Sequence, residues 1–495
     1  MALTLSAERL RITLPQEYDL SHYREKLLRE RKERTNQLRR INFDTKHYLK
    51  NKLSLFSSND QLFGGDLTTE NVIQALNGRS HQDLLTFNSL GKLNRNGLYL
   101  ISNDENVISS FLDCFSNIDE FPKDDAILLL NFISFIFPYA NNETHERLSD
   151  EMIISFMSLL EDSYLNMSIL VLIEVMARHS TYARDSMNSF GIQSQIIEMI
   201  KSLSSNNYEQ QNVNSFDLLN LCCSTIISIF GNTGEIDDWS LQSNIDTFLE
   251  FLNNPNKIVK ITGLDCLTDF TNQKPATSVI LNNKGICSIL LDFLDDQQLV
   301  QSTLQLIGNV CSAQPSASTS FLQNGTVSKL LNLIHYEQYV SEVFWIFSNM
   351  LETIPQIFAS YINDEFLSFA LKQVNSESGS RIDIKKEAAF FLCTCVMVFT
   401  PSQTKTFIND DFMMLIDEML SSGKRDIVIR CIDTLYRLLS IFRNDEAFLL
   451  KILMMVEENE IPKELENLMF EKDKIIAERS AALHQMLQCL LSKDE

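Results

Sequence analysis

Apolar residues recur along this chain three and four positions apart, the spacing that lines one face of a helix, and runs of strict alternation are few. The pattern predicts long helices over residues 126–137, 168–179, 218–230 and 259–270. It predicts further ones over "QSTLQLIGNVCS" (Gln301–Ser312), "SEVFWIFSNM" (Ser341–Met350), "KKEAAFFLCTCV" (Lys385–Val396) and "IVIRCIDTLYRLLSIF" (Ile427–Phe442). Thr68 or Thr69 caps the first helix, which carries "ENVIQALN". The later runs return at roughly forty-residue spacing, as in arrays whose units bury apolar surface only against their neighbours. The array starts near residue 66 and continues to residue 495. A Gln/Asn stretch over residues 206–214 reads as an inserted loop.

Composition agrees with an all-helical reading. Glycine (14) and proline (9) are scarce in 495 residues. No apolar run reaches the roughly 18 residues a membrane span needs, and the start of the chain lacks a signal-peptide pattern, so the expectation is a soluble protein of cytosol or nucleus. The ten cysteines lie in apolar, helical text without C-x-x-C spacing, which reads as small buried hydrophobes rather than metal ligands or disulfides. The seven histidines are scattered singly.

Charge is distributed unevenly. Residues 24–52 hold eleven Lys/Arg against four Asp/Glu, a local +7 within a total of −23, which leaves −30 on the remainder. A basic arm on an acidic body favours acidic partners, or the body itself, over nucleic acid, because the body repels phosphate. Residues 1–21 form an unpatterned tail, residues 22–53 the basic helix, and "SLFSSNDQLFGG" within residues 54–65 a linker.

Motifs for enzymatic chemistry are missing. "SSGKR" (Ser421–Arg425) lacks the earlier glycine and following hydroxyl of a P-loop, and neither H-E-x-x-H nor G-x-S-x-G occurs. The acid pairs Asp295/Asp296 and Asp410/Asp411 fall in expected inter-helix turns. No catalytic residue, metal ligand or cofactor is therefore assigned.

One helix carries a more specific pattern. In "EVFWIFSNM", Glu342, Trp345 and Asn349 stand three and four residues apart, so indole and carboxamide share a helix face. This helix, with the "LIGN" of Asn309 before it, resembles the Glu-x-x-Trp-x-x-Ser-Asn helices of importin-α, the nuclear-import adaptor. The basic segment extends the resemblance: Arg29, Arg31 and Glu33, then "QLRR" (Gln37–Arg40), then "YLKNK" (Tyr48–Lys52) keep the order of that family's importin-β-binding helix. "TYARDSMNSFGI" (Thr181–Ile192) resembles the family's text between its third and fourth repeats, and the C-terminal "LENLMFEKDKIIAERSAALHQML", with Glu471 and Asp473, its export-receptor repeat.

The resemblance implies a right-handed armadillo superhelix of about ten repeats over residues 66–495, preceded by the basic helical arm. It implies importin-β contacts through Arg29, Arg31, Arg39, Arg40, Lys50 and Lys52, and a cargo-peptide groove at Asn309, Glu342, Trp345, Asn349, Glu387 and Phe390. It implies basic localisation signals as cargo, an export receptor as a further partner, and shuttling between cytoplasm and nucleus. In the family, stacked tryptophans shelve Lys and Arg stems, a contact worth roughly 0.5–2 kcal/mol, and asparagines hold the peptide backbone. This chain departs from the family where Asn131 and Phe135, Val171 and Val175, and His179 fill the places of the major site, and where Asn51 interrupts the terminal basic cluster. Trp239, the only other tryptophan, is expected between helices. For Trp345 a core position is the alternative, and for the whole chain an armadillo scaffold or assembly factor that has lost signal binding.

Overall fold

In a computed structural model of the chain, the described residues are 68–87, 93–205, 213–231, 238–274, 276–375 and 382–491. Among them every regular element is helical. The described helices run in successive groups, and nine of them each end a group: α1 (Lys123–Ile136), α2 (Asn166–His179), α3 (Val213–Phe230), α4 (Lys257–Gln273), α5 (Val300–Ala313), α6 (Glu337–Thr353), α7 (Ile382–Val398), α8 (Arg425–Ile441) and α9 (Lys474–Leu491). The first eight contain or closely match the spans read from sequence. No described helix is long and apolar enough to cross a membrane.

Helix starts follow local chemistry. Thr68 accepts a hydrogen bond from the N–H of Asn71 at 3.3 Å, Asn141 from Thr144 at 2.9 Å, and Asn409 from Phe412 at 3.0 Å. Prolines 315, 355 and 401 open the short helices that follow α5, α6 and α7, where the missing N–H costs nothing. In three groups the chain turns between the first two helices through a glycine with positive φ: Gly191, Gly285 and Gly325. In the last group Glu460 takes that conformation, φ 51°, directly before the helix Ile461–Leu468.

Two compact units divide the described chain after Gln273. In the N-terminal unit α1, α2, α3 and α4 pack in succession, and Phe230 of α3 meets Phe248 and Phe270 edge-on at 5.3 and 5.4 Å. In the C-terminal unit α5 to α9 pack in succession, with Phe344 and Phe347 of α6, Phe366, and Phe391 of α7 forming one aromatic cluster. Every residue of α6 from Tyr339 to Leu351 is buried.

Some expectations need correction. Asp410 and Asp411 lie in the first turn of the helix Asp410–Leu420 rather than in a turn, where carboxylates face unpaired N–H groups. Asp295 and Asp296 do occupy a turn. Trp239 falls inside the helix Asp238–Leu252, not between helices. Of the inserted loop, residues 206–212 lie outside the described residues, while 213 and 214 already belong to α3.

Nine cysteines are buried and Cys489 is exposed. Burial pushes the thiol of Cys287 up to about 11 and that of Cys223 up to about 12, which suppresses the reactive thiolate. A thiol titration is expected to find one fast-reacting group per native chain, Cys489, and ten after denaturation. Two or more fast groups in the native chain contradict this packing.

His145 provides a second test. It is buried, stacks on Phe137 at 4.2 Å, and has Nε2 2.9 Å from the Phe137 carbonyl oxygen. Burial lowers its pKa from the usual 6.5, the carbonyl opposing. The folded state therefore resists a proton that the unfolded chain accepts, so stability is full above pH 6.5 and falls as pH drops towards the folded-state pKa, by at most about 1.4 kcal/mol per pH unit. Melting curves from pH 7.5 to 5 should show a smaller loss for His145→Gln than for the wild type.

Candidate functional site

The packing of α5 against α6 sets the geometry around Trp345. Gly308 on α5 has no side chain, and the six-membered ring of the Trp345 indole occupies the space a methyl group there would need. The close approach also lets Asn349 Nδ2 donate to the Gly308 carbonyl at 3.0 Å. Trp345 and Asn349 are each 3% exposed, and Asn309, the next residue after Gly308, is fully buried. The predicted residues Asn309, Trp345 and Asn349 are thus brought together, with the Asn349 amide donating to the neighbouring helix.

Glu342, one turn before Trp345, is also built in. Gln301 Nε2 of α5 donates to Glu342 Oε1 at 2.9 Å, and Ser341 Oγ to Oε2 at 2.7 Å. Glu387 and Phe390 stand at the same spacing on α7, and both are buried. Thr394 and Thr434 bond back to the carbonyls of Phe390 and Arg430, 2.8 Å each. The Arg430 guanidinium lies over the Phe390 ring, 4.5 Å from its centroid, and pairs with Glu352 at the end of α6. Both members of that pair are almost fully buried.

Farther along, Asp433 of α8 pairs with Arg479 of α9. Burial raises the Asp433 pKa against the pull of Arg479 and Arg430. Arg425 Nε donates to Asp473 Oδ2 at 2.6 Å, while Asp473 Oδ1 accepts from the N–H groups of Ile475 and Ile476 at 2.9 and 3.4 Å. Burial pushes the Asp473 carboxyl up, but Arg425 and these two N–H groups outweigh it and leave the pKa low. Asp473, read in sequence as part of an acidic receptor surface, makes internal bonds that start α9.

The N-terminal unit offers a different surface. Val175 of α2 is buried and Val171 half-buried, and His179 ends the helix. Glu174 pairs with Arg178 one turn on, and accepts from Ser224 of α3 at 3.0 Å, while Arg178 Nε donates to Ser228 Oγ at 3.2 Å. Arg184, within the "TYARD" text, donates to the Gly231 carbonyl. Arg29, Arg31, Arg39, Arg40, Lys50 and Lys52, expected from sequence to contact importin-β, lie outside the described residues, as do the stretches read as tail, basic helix and linker. Among the described residues no group of His, Cys, Asp and Glu is placed to hold a metal ion.

Sequence reading missed Gln301, Ser341, Glu352 and Arg430. For Arg430 a signal exists: a lone arginine amid "IVIRCI", where every neighbour is apolar and a charge needs a built partner.

No protein-family model and no curated protein sequence matches the chain. Solved structures do. An engineered protein from a structural-genomics consortium covers 86% of this chain and 99% of its own length at 12% identity, with a TM-score of 0.56. Yeast importin-β covers 85% of this chain at 8% identity and a TM-score of 0.59, and the match takes up 52% of its own length. A designed armadillo-repeat protein covers 49% of this chain and 99% of its own at 14% identity, with a TM-score of 0.39. The chain is an all-α solenoid of armadillo/HEAT-like repeats.

The Gly308 contact is testable. Gly308→Ala is expected to cost about 1–3 kcal/mol, as overpacking does, and most of that cost should vanish in a Trp345→Ala background, where the ring is gone. Denaturant unfolding of the two single variants and the double variant measures the coupling. Simple additivity would mean the indole does not rest on Gly308.

Proposed function

We propose that this protein is a non-enzymatic peptide-binding adaptor of nuclear import, which holds basic, extended segments of cargo on its C-terminal unit and is recruited to importin-β by its N-terminal basic arm. The observation that carries the reading is the set of Asn309, Glu342, Trp345 and Asn349 gathered on two adjacent helices, an indole beside carboxamides and a carboxylate. A basic side chain gains from an aromatic face and from a carboxylate at its tip, and amides match the alternating donors and acceptors of an extended backbone. The order of basic parts in residues 22–53 supports importin-β as the partner, and shuttling between cytoplasm and nucleus follows from that role. The export receptor would act at the C-terminal repeat. On this reading the N-terminal unit contributes little to signals, because α2 presents Val171, Val175 and a Glu174–Arg178 pair rather than an indole.

One observation favours a second reading, a scaffold that has lost signal binding: the Asn349 amide donates to a neighbouring helix of its own chain. A pull-down with importin-β separates the two. Arg39→Glu with Arg40→Glu is expected to abolish capture while leaving the melting temperature of the repeats unchanged. Undiminished capture would remove importin-β from the proposal and favour the scaffold.

A further inference from the structure

In the N-terminal unit the helix Asn142–Glu161 buries one face, through Leu148, Met152, Phe156 and Leu159, and leaves the other in solvent. On the solvent face Asp150, Ile154, Met157 and Glu161 follow at steps of four, three and four residues, so they form one row along the helix. The next two helices close on that row. Tyr182 of Thr181–Ser189 donates its hydroxyl to Asp150 Oδ1 at 2.6 Å, and Gln195 of Ile192–Ser205 donates Nε2 to the Met157 carbonyl at 3.0 Å. Ile154 lies between these two contacts. It is 65% exposed, with Met157 at 41% and Tyr182 at 40%, so the three side chains make an apolar strip open to solvent where two repeats meet.

The charge around the strip has one sign. Glu143, Glu146, Asp150, Glu151 and Glu161 of the same helix are exposed, and among the described residues none of them has an ion-pair partner. Arg147, the only lysine or arginine of that helix, donates instead to Ser109 Oγ at 2.9 Å. Glu146 and Asp150 stand one turn apart, where like charges destabilise a helix. Tyr182 registers the same field. Its bond to Asp150 first, then lost hydration and the charges of Asp150 and Glu146, raise its pKa above the usual 10.

We propose that this face docks a basic amphipathic helix from a partner protein, with apolar anchors on Ile154, Met157 and Tyr182 and lysines or arginines over the flanking carboxylates. The surface is separate from the cargo residues of the C-terminal unit and does not depend on them. A helix fits better than an extended segment. The backbone groups of Asn142–Glu161 and Ile192–Ser205 are taken up within their own helices, so the face offers side chains alone, and a helical ligand brings its own backbone already bonded. Anchors at i, i+3 or i+4 and i+7 meet a row whose own spacing is four and three, and the unpaired carboxylates steer a basic ligand towards it.

The experiment uses the full chain and two labelled lysine-leucine peptides of one composition, the first with leucines at i, i+3, i+4 and i+7 and the second scrambled so that no apolar face forms. By fluorescence anisotropy the patterned peptide is expected to bind at least tenfold more tightly than the scrambled one. Ile154→Ser with Met157→Ser should lose at least tenfold in affinity at an unchanged melting temperature, because both side chains are exposed. Phe470→Ser, which removes an 82% exposed ring from the C-terminal unit, should bind as wild type does. Glu146→Gln with Glu151→Gln should weaken binding and flatten its dependence on salt. Hydrogen exchange should slow over residues 150–161 and 182–195 when the patterned peptide is added. Equal binding of the two peptides, undiminished binding by the Ile154→Ser, Met157→Ser variant, a lowered melting temperature for it, or protection confined to the C-terminal unit overturns the proposal. Two further results would reassign the face and so overturn the partner: a peptide of residues 22–53 that binds wild type and not this variant makes the occupant the chain's own basic arm, and a dimer that this variant dissociates makes it a second copy.

Discussion

A helix buried on every side must partner each polar group it carries, and α6 is such a helix. From Tyr339 to Leu351 every residue is buried, and α6 packs against α5 and α7. That constraint explains the details around it. Glu342 is met by Gln301 and Ser341, Ser348 bonds back to the Phe344 carbonyl, and Asn349 donates to Gly308. Gly308 is small because its neighbour is an indole, and the short distance this creates is what puts the carbonyl within reach of the amide. Polar chemistry at this site is therefore inseparable from the packing of adjacent repeats.

Much of the fold was legible from the spacing of apolar residues. The long helices are apolar around most of their circumference, and Thr, Asn, Asp and Pro mark the starts of many of the helices between them, so much of the layout follows from local chemistry. What spacing does not encode is which turn of one repeat meets which turn of the next. Trp345 and Asn349 share a face by helical geometry alone, but their meeting with Gly308, some forty positions earlier, depends on how α5 and α6 cross. Arg430 is a sharper case. Its partner Glu352 is 78 residues away, and nothing local to either residue names the other. Trp239 and Asp410 were misplaced for a simpler reason, since acidic residues beside a helix start read equally well as a loop or as a first turn.

Importin-α resemblance and observed geometry bear on different parts of the chain. The resemblance is strongest in the basic arm and in α6, whereas the N-terminal unit has its own solution, with Glu174, Arg178, Ser224 and Ser228 linked between α2 and α3. A fold shared with yeast importin-β at 8% identity shows how little sequence the architecture demands. Function must then be argued from side chains such as Trp345 and Arg430, not from the solenoid.

The Glu352–Arg430 pair has a mechanical side as well. In repeat arrays each unit touches only the next, so unfolding is described by nearest-neighbour couplings and can fray from either end. A buried pair that joins α6 to α8 across α7 adds a next-nearest-neighbour coupling. The three helices are then expected to gain or lose order together rather than one at a time.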